Sequence, residues 1–415
     1  MLATILLLSL FAVTAVAVMT RLLGVSEGWW AMVAAAVALL TGLVSVSAAW
    51  ASLGQTVDVL LFFGGLVVLT AVLSRAGAME VVLDRMERWS GASPRRLLLA
   101  TILVTAAITA VFSNDAAALL ITPALIGRLR SRHLPAAPFL LAVAIVANSA
   151  SLLLPVSNPV NLLILDRNHL PLAGYILHVT PFAFVGLVVA SAALALLGWR
   201  SLSDPSPAPH IKNRRAPATL GPLFAILIGL AVADTAAVVT GFPLGPPTVI
   251  AALAALLTYS WREQISPLVT LARVRWSLLP LVMGFAILAA GMEHSHLLGT
   301  VFAGAAGRPG GLGSDLRVGG VTAVLAAAFN NLPAAFLVSS GLTAAHHLAA
   351  LTIPVIVGAD LGPNLAPAGS LSTILIFSAA RRHGEKALWR GFWRVGWVAG
   401  GAGLISSLLP AALVR

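Results

Sequence analysis

Phe112-Ser113-Asn114-Asp115-Ala116-Ala117-Ala118-Leu119-Leu120-Ile121-Thr122-Pro123 breaks an otherwise apolar run, Leu97–Ile126, with three consecutive polar side chains. In hydrocarbon, Ser113, Asn114 and Asp115 would each leave donors or acceptors unpaired, at a cost on the order of several kcal/mol per group. Charged residues inside membrane segments generally face a cavity or an ion pathway. Arg95 and Arg96 precede the run, and Arg128, Arg130 and Arg132 follow it. With Arg-rich ends on the cytoplasmic side, the chain enters and leaves through one face. Each arm, Leu97–Phe112 and Ala116–Gly127, falls short of the ~20 residues a spanning helix needs. The stretch therefore predicts a re-entrant helical hairpin over about 95–130 with Ser-Asn-Asp at its tip. One long transmembrane helix with a paired polar patch is the alternative.

Composition fixes the class around that hairpin. Of 415 residues, 59% are hydrophobic and only 9% charged, and the mean hydropathy is +0.98. No soluble domain keeps that much apolar surface from water, so the chain reads as an all-α polytopic membrane protein. The net charge of +11 invites a nucleic-acid reading. Its distribution argues otherwise: all but four of the 25 Lys and Arg (Arg167, Arg308, Arg317 and Arg415) fall in or beside expected cytoplasmic loops. Positive-inside bias accounts for the basicity, and no nucleic-acid partner is expected. The chain has no cysteine, which excludes disulfides and thiolate metal sites. Leu2–Met19 lacks a basic leader and is expected to be a retained first span.

Taken in order, apolar segments run at about 2–19, 28–49 and 57–76, followed by an amphipathic stretch, Met79–Trp89, suited to the cytoplasmic interface. The hairpin comes next, then a long segment at 137–165 interrupted by Leu-Pro-Val-Ser-Asn-Pro-Val-Asn at 154–161. Pro155 and Pro159 remove two backbone donors and disfavour helix just before them, so this is a broken helix. A fifth span covers about 172–198. Residues 199–219, with four prolines, Lys212, Arg214 and Arg215, read as a cytoplasmic linker.

The second half repeats this layout. Spans at about 220–238, 244–260 and 277–298 precede a second hairpin, about 317–348, centred on Phe329-Asn330-Asn331-Leu332-Pro333. A second broken helix, about 349–377, carries Gly358-Ala359-Asp360-Leu361-Gly362-Pro363-Asn364 and Ser370, and a last span lies at about 391–412. The expected domains are a first repeat at 1–198, the linker, and a second repeat at 220–415. Each repeat holds five spans and one hairpin. Five is odd, so the second repeat is expected to be inverted, with both termini outside and the broken helices meeting at the midplane, as in secondary transporters.

Two hairpin tips and two helix breaks then converge. Exposed N–H groups at helix starts suit oxygen-rich solutes, and Asn offers both donors and acceptors. Ser113, Asn114, Asp115, Ser157, Asn158, Asn161, Asn330, Asn331, Asn364 and Ser370 are the candidate substrate-binding residues. Asp115 and Asp360 are the candidate proton-coupling residues, with helix capping as the competing duty. Asp58 and Asp234 fall near expected outer span ends and read as interfacial. Glu293, His294 and His296 read as a solvated rim; no metal site and no cofactor is expected.

Ser-Asn-Asp-Ala-Ala-Ala-Leu-Leu-Ile-Thr-Pro at 113–123, Val-Ser-Asn-Pro-Val-Asn at 156–161, Asn-Asn-Leu-Pro at 330–333 and Asp-Leu-Gly-Pro-Asn at 360–364 resemble the arsenical pump membrane proteins. Pro-Ala-Gly-Ser-Leu at 367–371 fits too. These arsenite and antimonite efflux permeases belong to the ion-transporter superfamily with the sodium-coupled dicarboxylate and citrate carriers. Ser113-Asn114 is similar to the start of the carriers' Ser-Asn-Thr tip, but the third residue here is Asp115, which would repel a dicarboxylate. The resemblance implies export of trivalent arsenic or antimony across the cytoplasmic (inner) membrane in exchange for protons, sometimes with a soluble ATPase partner. Arsenite near neutral pH is mostly an uncharged trihydroxide, which Asn, Ser and backbone groups can hold by hydrogen bonds. A sodium-coupled carboxylate or anion carrier is the alternative, and a passive channel a third reading. No HExxH or GxSxG motif supports an intramembrane enzyme.

Overall fold

The computed structural model describes residues 2–20, 25–167, 172–199, 202, 217–293, 295–307, 311–346, 348–384 and 388–413. Everything in it that is regular is helical. The first half runs α1 (Leu2–Thr20), α2 (Glu27–Leu40), α3 (Val46–Arg75), α4 (Ala78–Ser90), α5 (Pro94–Val111), α6 (Asn114–Ser131), α7 (Ala136–Ala150), α8 (Pro159–Arg167), α9 (Leu172–His178) and α10 (Thr180–Trp199). The second runs α11 (Leu220–Thr240), α12 (Gly245–Glu263), α13 (Pro267–Leu271), α14 (Leu278–Ala290), α15 (His296–Ala306), α16 (Leu312–Phe329), α17 (Asn331–Ala344), α18 (Leu348–Leu361), α19 (Leu371–Arg382), α20 (Leu388–Val395) and α21 (Gly401–Leu413). Most of the linker expected at 199–219, including Lys212, Arg214 and Arg215, lies outside the described residues, as do His294, Arg308 and Arg415.

Among the described residues six helices (α1, α3, α5, α10, α11 and α16) are long and apolar enough to cross a membrane. Exposed Trp29, Trp50, Trp89, Trp261 and Trp389 sit at or near helix ends, where interfacial aromatics belong.

Three expected segment boundaries are corrected. The second segment does not run to 49: Gly42 takes a left-handed φ of 72° and Ser45 caps a new helix by accepting from Ala48 N. The third span therefore starts at Val46, and Asp58 lies well inside it instead of at its end. Its carboxylate accepts from Leu244 N (3.1 Å) and Gly245 N (2.7 Å), capping α12. The segment expected at 277–298 ends at Ala290, and α15 follows as a separate helix whose start Ser295 caps.

Local chemistry sets the breaks that matter. Ser113 opens α6 by accepting from Ala116 N at 3.1 Å, and Ser93 with Pro94 opens α5. The end of α6 returns to the start of α5: Arg132 donates to Gly91 O at 2.9 Å, and Arg128 pairs with Asp84 (2.5 Å) and Glu87 (2.6 Å) of α4. In the second half Asn330 turns the chain with φ 79° between α16 and α17. Arg317 near the start of α16 donates to Ala305 O and Ala306 O, so that pair is anchored on α15.

Packing between elements comes in pairs. α3 lies on α12 and α2 on α14; α5 lies on α7 and α16 on α18; α6 lies on α19 and α17 on α8. α10 packs on α21, and α3 on α14. The α16–α18 contact depends on absent side chains: a Cβ on Gly358 would sit 2.4 Å from Gly319 O, and one on Gly362 2.4 Å from Ala323 O.

Candidate solute-binding site

The turn before α6, the turn before α17 and the two helix breaks come together in the interior. Asn114, Asp115, Asn158, Asn330 and Asn331 line one cavity of about 30 Å³. Phe63, Leu281, Val282, Leu332 and Leu371 are among its apolar walls. That volume holds about two waters or one comparably small solute. Among the described residues no cationic side chain lines it.

The Asn side chains are held by their oxygens. Asn114 Oδ1 accepts from Asp115 N (2.9 Å), Asn331 Oδ1 from Leu332 N (3.0 Å) and Asn330 Oδ1 from Leu332 N (3.4 Å). The amide nitrogens of these three residues have no hydrogen-bond partner among the described residues. The cavity is thus furnished with N–H donors on an apolar wall, beside one carboxylate. The backbone fixes the second tip further, because Asn331 N donates to Gly369 O at 3.0 Å.

Asp115 occupies a boundary. It also lines a larger cavity of about 170 Å³ with Ser113, Thr70, Ser74, Arg273 and Arg275. Arg275 is itself paired with Glu27 at 2.6 Å. Asp115, with Phe63 and Leu278, lines both cavities.

The remaining candidates line neither of these two cavities and brace the site from behind. Ser157 donates to Ala110 O at 2.8 Å, tying the first break to the end of α5. Asn161 donates to Ser151 O (2.9 Å) and to the Tyr175 hydroxyl (3.1 Å). Asn364 accepts from Asn148 (3.0 Å) and donates to Ser149 (3.1 Å). Ser370 caps α19 through Thr373 N (3.1 Å) and bonds Ser372 and Thr373. Asp360 accepts a short hydrogen bond from Asn158. The sequence reading missed Asn148, Ser149, Ser151, Tyr175, Ser372 and Thr373. The Asn-Ser-Ala-Ser run at 148–151, polar inside a helix and just ahead of a break, was the available signal.

Glu293 is not a solvated rim residue. It pairs at 2.6 Å with Arg167, whose side chain is 7% exposed, donates to Ser340 (3.1 Å) and lies over the Phe336 ring. A buried guanidinium needs such a partner. Among the described residues no group of three metal-ligating side chains occurs.

Comparison with known proteins agrees with this architecture. The chain is 27% identical to the arsenical pump membrane protein of Yersinia enterocolitica, over 94% of both chains. It is 31% identical over 152 residues to the silicon efflux transporter LSI3 of Oryza sativa subsp. japonica, covering 37% of this chain and 31% of that one. Its fold resembles the Alcanivorax borkumensis YdaH transporter, with a TM-score of 0.54 and 16% identity, over 87% of this chain and 86% of that one. The sequence model of the citrate transporter family, CitMHS, matches residues 10–357. The chain therefore belongs to the citrate transporter family of the ion-transporter superfamily, as a multi-pass membrane protein and secondary transporter, not an enzyme.

Proposed function

We propose that this protein exports arsenite or antimonite, as uncharged hydroxides, across the cytoplasmic membrane in exchange for protons. One observation carries the reading: the cavity offers amide donors and a single carboxylate, with no cationic side chain on its wall. A neutral trihydroxide needs hydrogen bonds to its oxygens and acceptors for its hydroxyls, and both are present. The arsenical pump relatives support the solute. The silicon efflux relative fits the same chemistry, since silicon in neutral water is an uncharged tetrahydroxide.

In this reading the halves 1–198 and 220–415 are inverted repeats, each of five spans and a re-entrant hairpin, α5–α6 in the first and α16–α17 in the second. The paired packing of elements supports the repeat. The arginines at the open end of α5–α6, set against Asp315 and Arg317 at α16, support opposed hairpins. Substrate contact falls to Asn114, Asp115, Asn158, Asn330 and Asn331, with Ser113 at the approach and Ser157, Asn161, Asn364 and Ser370 holding the frame. Asp115 carries the exchanged proton, with Asp360 the alternative. A soluble ATPase partner would dock on the Arg-rich cytoplasmic face.

Sodium-coupled transport of a carboxylate is the second reading, favoured by the family's name. A citrate trianion in the small cavity would sit beside Asp115 with no cation on that wall, and Coulomb repulsion in a low-dielectric site opposes that; Arg273 and Arg275 line only the larger cavity. Counterflow in proteoliposomes decides between them. Labelled arsenite should accumulate transiently in vesicles preloaded with arsenite or antimonite, and not in vesicles preloaded with citrate. Sodium-dependent citrate counterflow without arsenite counterflow would establish the second reading.

A further inference from the structure

A third groove lies apart from the two solute cavities. Its volume of about 380 Å³, against about 170 Å³ for the larger of those two, and its apolar walls make it a poor match for a small hydroxide. Met19 at the end of α1 lines it, with Phe377 and Arg381 of α19 and Trp389 of α20. Pro367 and Ala368 of the second break line it as well. Val18, next to Met19, belongs to the core cluster that holds α2 and α14, while Phe377 and Leu388 belong to the cluster that holds α6 and α7. The groove thus runs where two separately packed parts of the molecule meet.

Its chemistry is apolar with one positive charge. Arg381 is the single charged side chain on its wall among the described residues, and no hydrogen bond or ion pair holds that guanidinium there. Trp389 is 53% exposed and leans on Phe377, with 5.9 Å between ring centroids. The helix α20 sorts its residues by face: Leu388 and Phe392 are buried, Trp389 and Trp393 form one exposed row, and Arg390 and Arg394 form another. That is the pattern of a helix lying at a membrane surface. Neither 371–384 nor 388–395 contains an acidic residue. Arg130 donates to His383 O, so the basic end of α6 meets the basic end of α19. By the positive-inside rule this face belongs to the cytoplasmic leaflet, where anionic lipids gather.

We propose that this groove binds one anionic phospholipid of the cytoplasmic leaflet, its phosphate on Arg381 and an acyl chain against Met19, Phe377 and Trp389. A guanidinium pairs a phosphate bidentately, and beside hydrocarbon that pair is screened less than it would be in water. The apolar wall selects a lipid over a free anion. Occupancy reaches the solute site through the chain. Ala368, on the groove, precedes Gly369, whose carbonyl accepts from Asn331 N at 3.0 Å. That segment has little slack, because a Cβ on Gly369 would sit 2.5 Å from Pro363 Cα. A lipid in the groove therefore steadies the loop that holds the second tip. The site stands whatever solute the protein carries.

Native mass spectrometry of the purified protein, titrated with phosphatidylglycerol or phosphatidylcholine of equal chain length, tests this. The wild type should take up one phosphatidylglycerol per chain with about tenfold preference, the scale of one charge-assisted hydrogen bond. Arg381→Gln should lose the preference and Arg381→Lys should keep part of it. Arg382→Gln, an exposed neighbour off the groove, should keep all of it. In phosphatidylglycerol nanodiscs, backbone hydrogen exchange over 366–371 should be slower than in phosphatidylcholine nanodiscs for the wild type and not for Arg381→Gln. Should Arg381→Gln fail to fold, Ile374→Trp, which fills the groove and leaves the charge, should lose the bound lipid. Equal uptake of the two lipids by the wild type, or equal losses in Arg381→Gln and Arg382→Gln, would overturn the proposal. So would inorganic phosphate displacing the lipid as well as short-chain phosphatidylglycerol does.

Discussion

Asp115→Asn is expected to keep arsenite binding and equilibrative exchange while losing pH-driven accumulation. Exchange requires a site that holds either proton or solute during the crossing, never both. Asp115 stands where the larger cavity meets the smaller, beside the Asn residues assigned to the solute. Solute bound there favours the ionised carboxylate as acceptor for its hydroxyl groups, and so displaces the proton. Asn in its place keeps the shape and an acceptor oxygen but carries no exchangeable proton. Membrane potential does no work on a neutral solute, so one exchanged proton sets the gradient: about 2.3 kcal/mol per 100 mV, or roughly fifty-fold at 1.4 kcal/mol per factor of ten. The variant should fall from that ratio to about one. If Asp115→Asn still concentrates arsenite under an imposed pH difference, the proton travels on another group.

The second large effect concerns the amides. Asn114→Ala and Asn331→Ala each remove a cavity donor that has no protein partner among the described residues. A buried hydrogen-bond partner lost costs about 1–3 kcal/mol, so apparent arsenite affinity should weaken about 5- to 150-fold in each. Both variants also lose a side-chain oxygen that caps a backbone N–H, which lowers stability by about 1 kcal/mol. Transport KM and Tm measured on the same preparations separate the two effects. Unchanged KM in both variants, at equal expression, moves the solute elsewhere.

The breaks were the most legible part of this fold. Ser113, Pro155, Asn330 and the Gly362-Pro363 pair mark them in sequence because a cap or a missing donor is a local property. Apolar continuity misled where polarity changed too little: the run through Gly291 and Met292 hid the end of α14, and Gly42 within 28–49 hid the end of α2. Partners far apart in the chain were out of reach. Asn148 and Asn364 meet across 216 positions. Arg167, read as an outer-loop charge, is buried because Glu293 and Ser340 come to it from the other half. The five Asn and Asp residues that line the small cavity were all among the candidates; which candidates would be wall and which brace depends on side-chain direction, and spacing does not encode that.

The exchange itself is measured most directly in everted membrane vesicles, whose outward-facing surface is the cytoplasmic one. With an acid lumen imposed, protons leaving should drive labelled arsenite inward to roughly fifty-fold above the medium for a pH difference equivalent to 100 mV, and an uncoupler should collapse it. Arsenite that only equilibrates, with the same level in the presence and absence of the pH gradient, would contradict proton-coupled export.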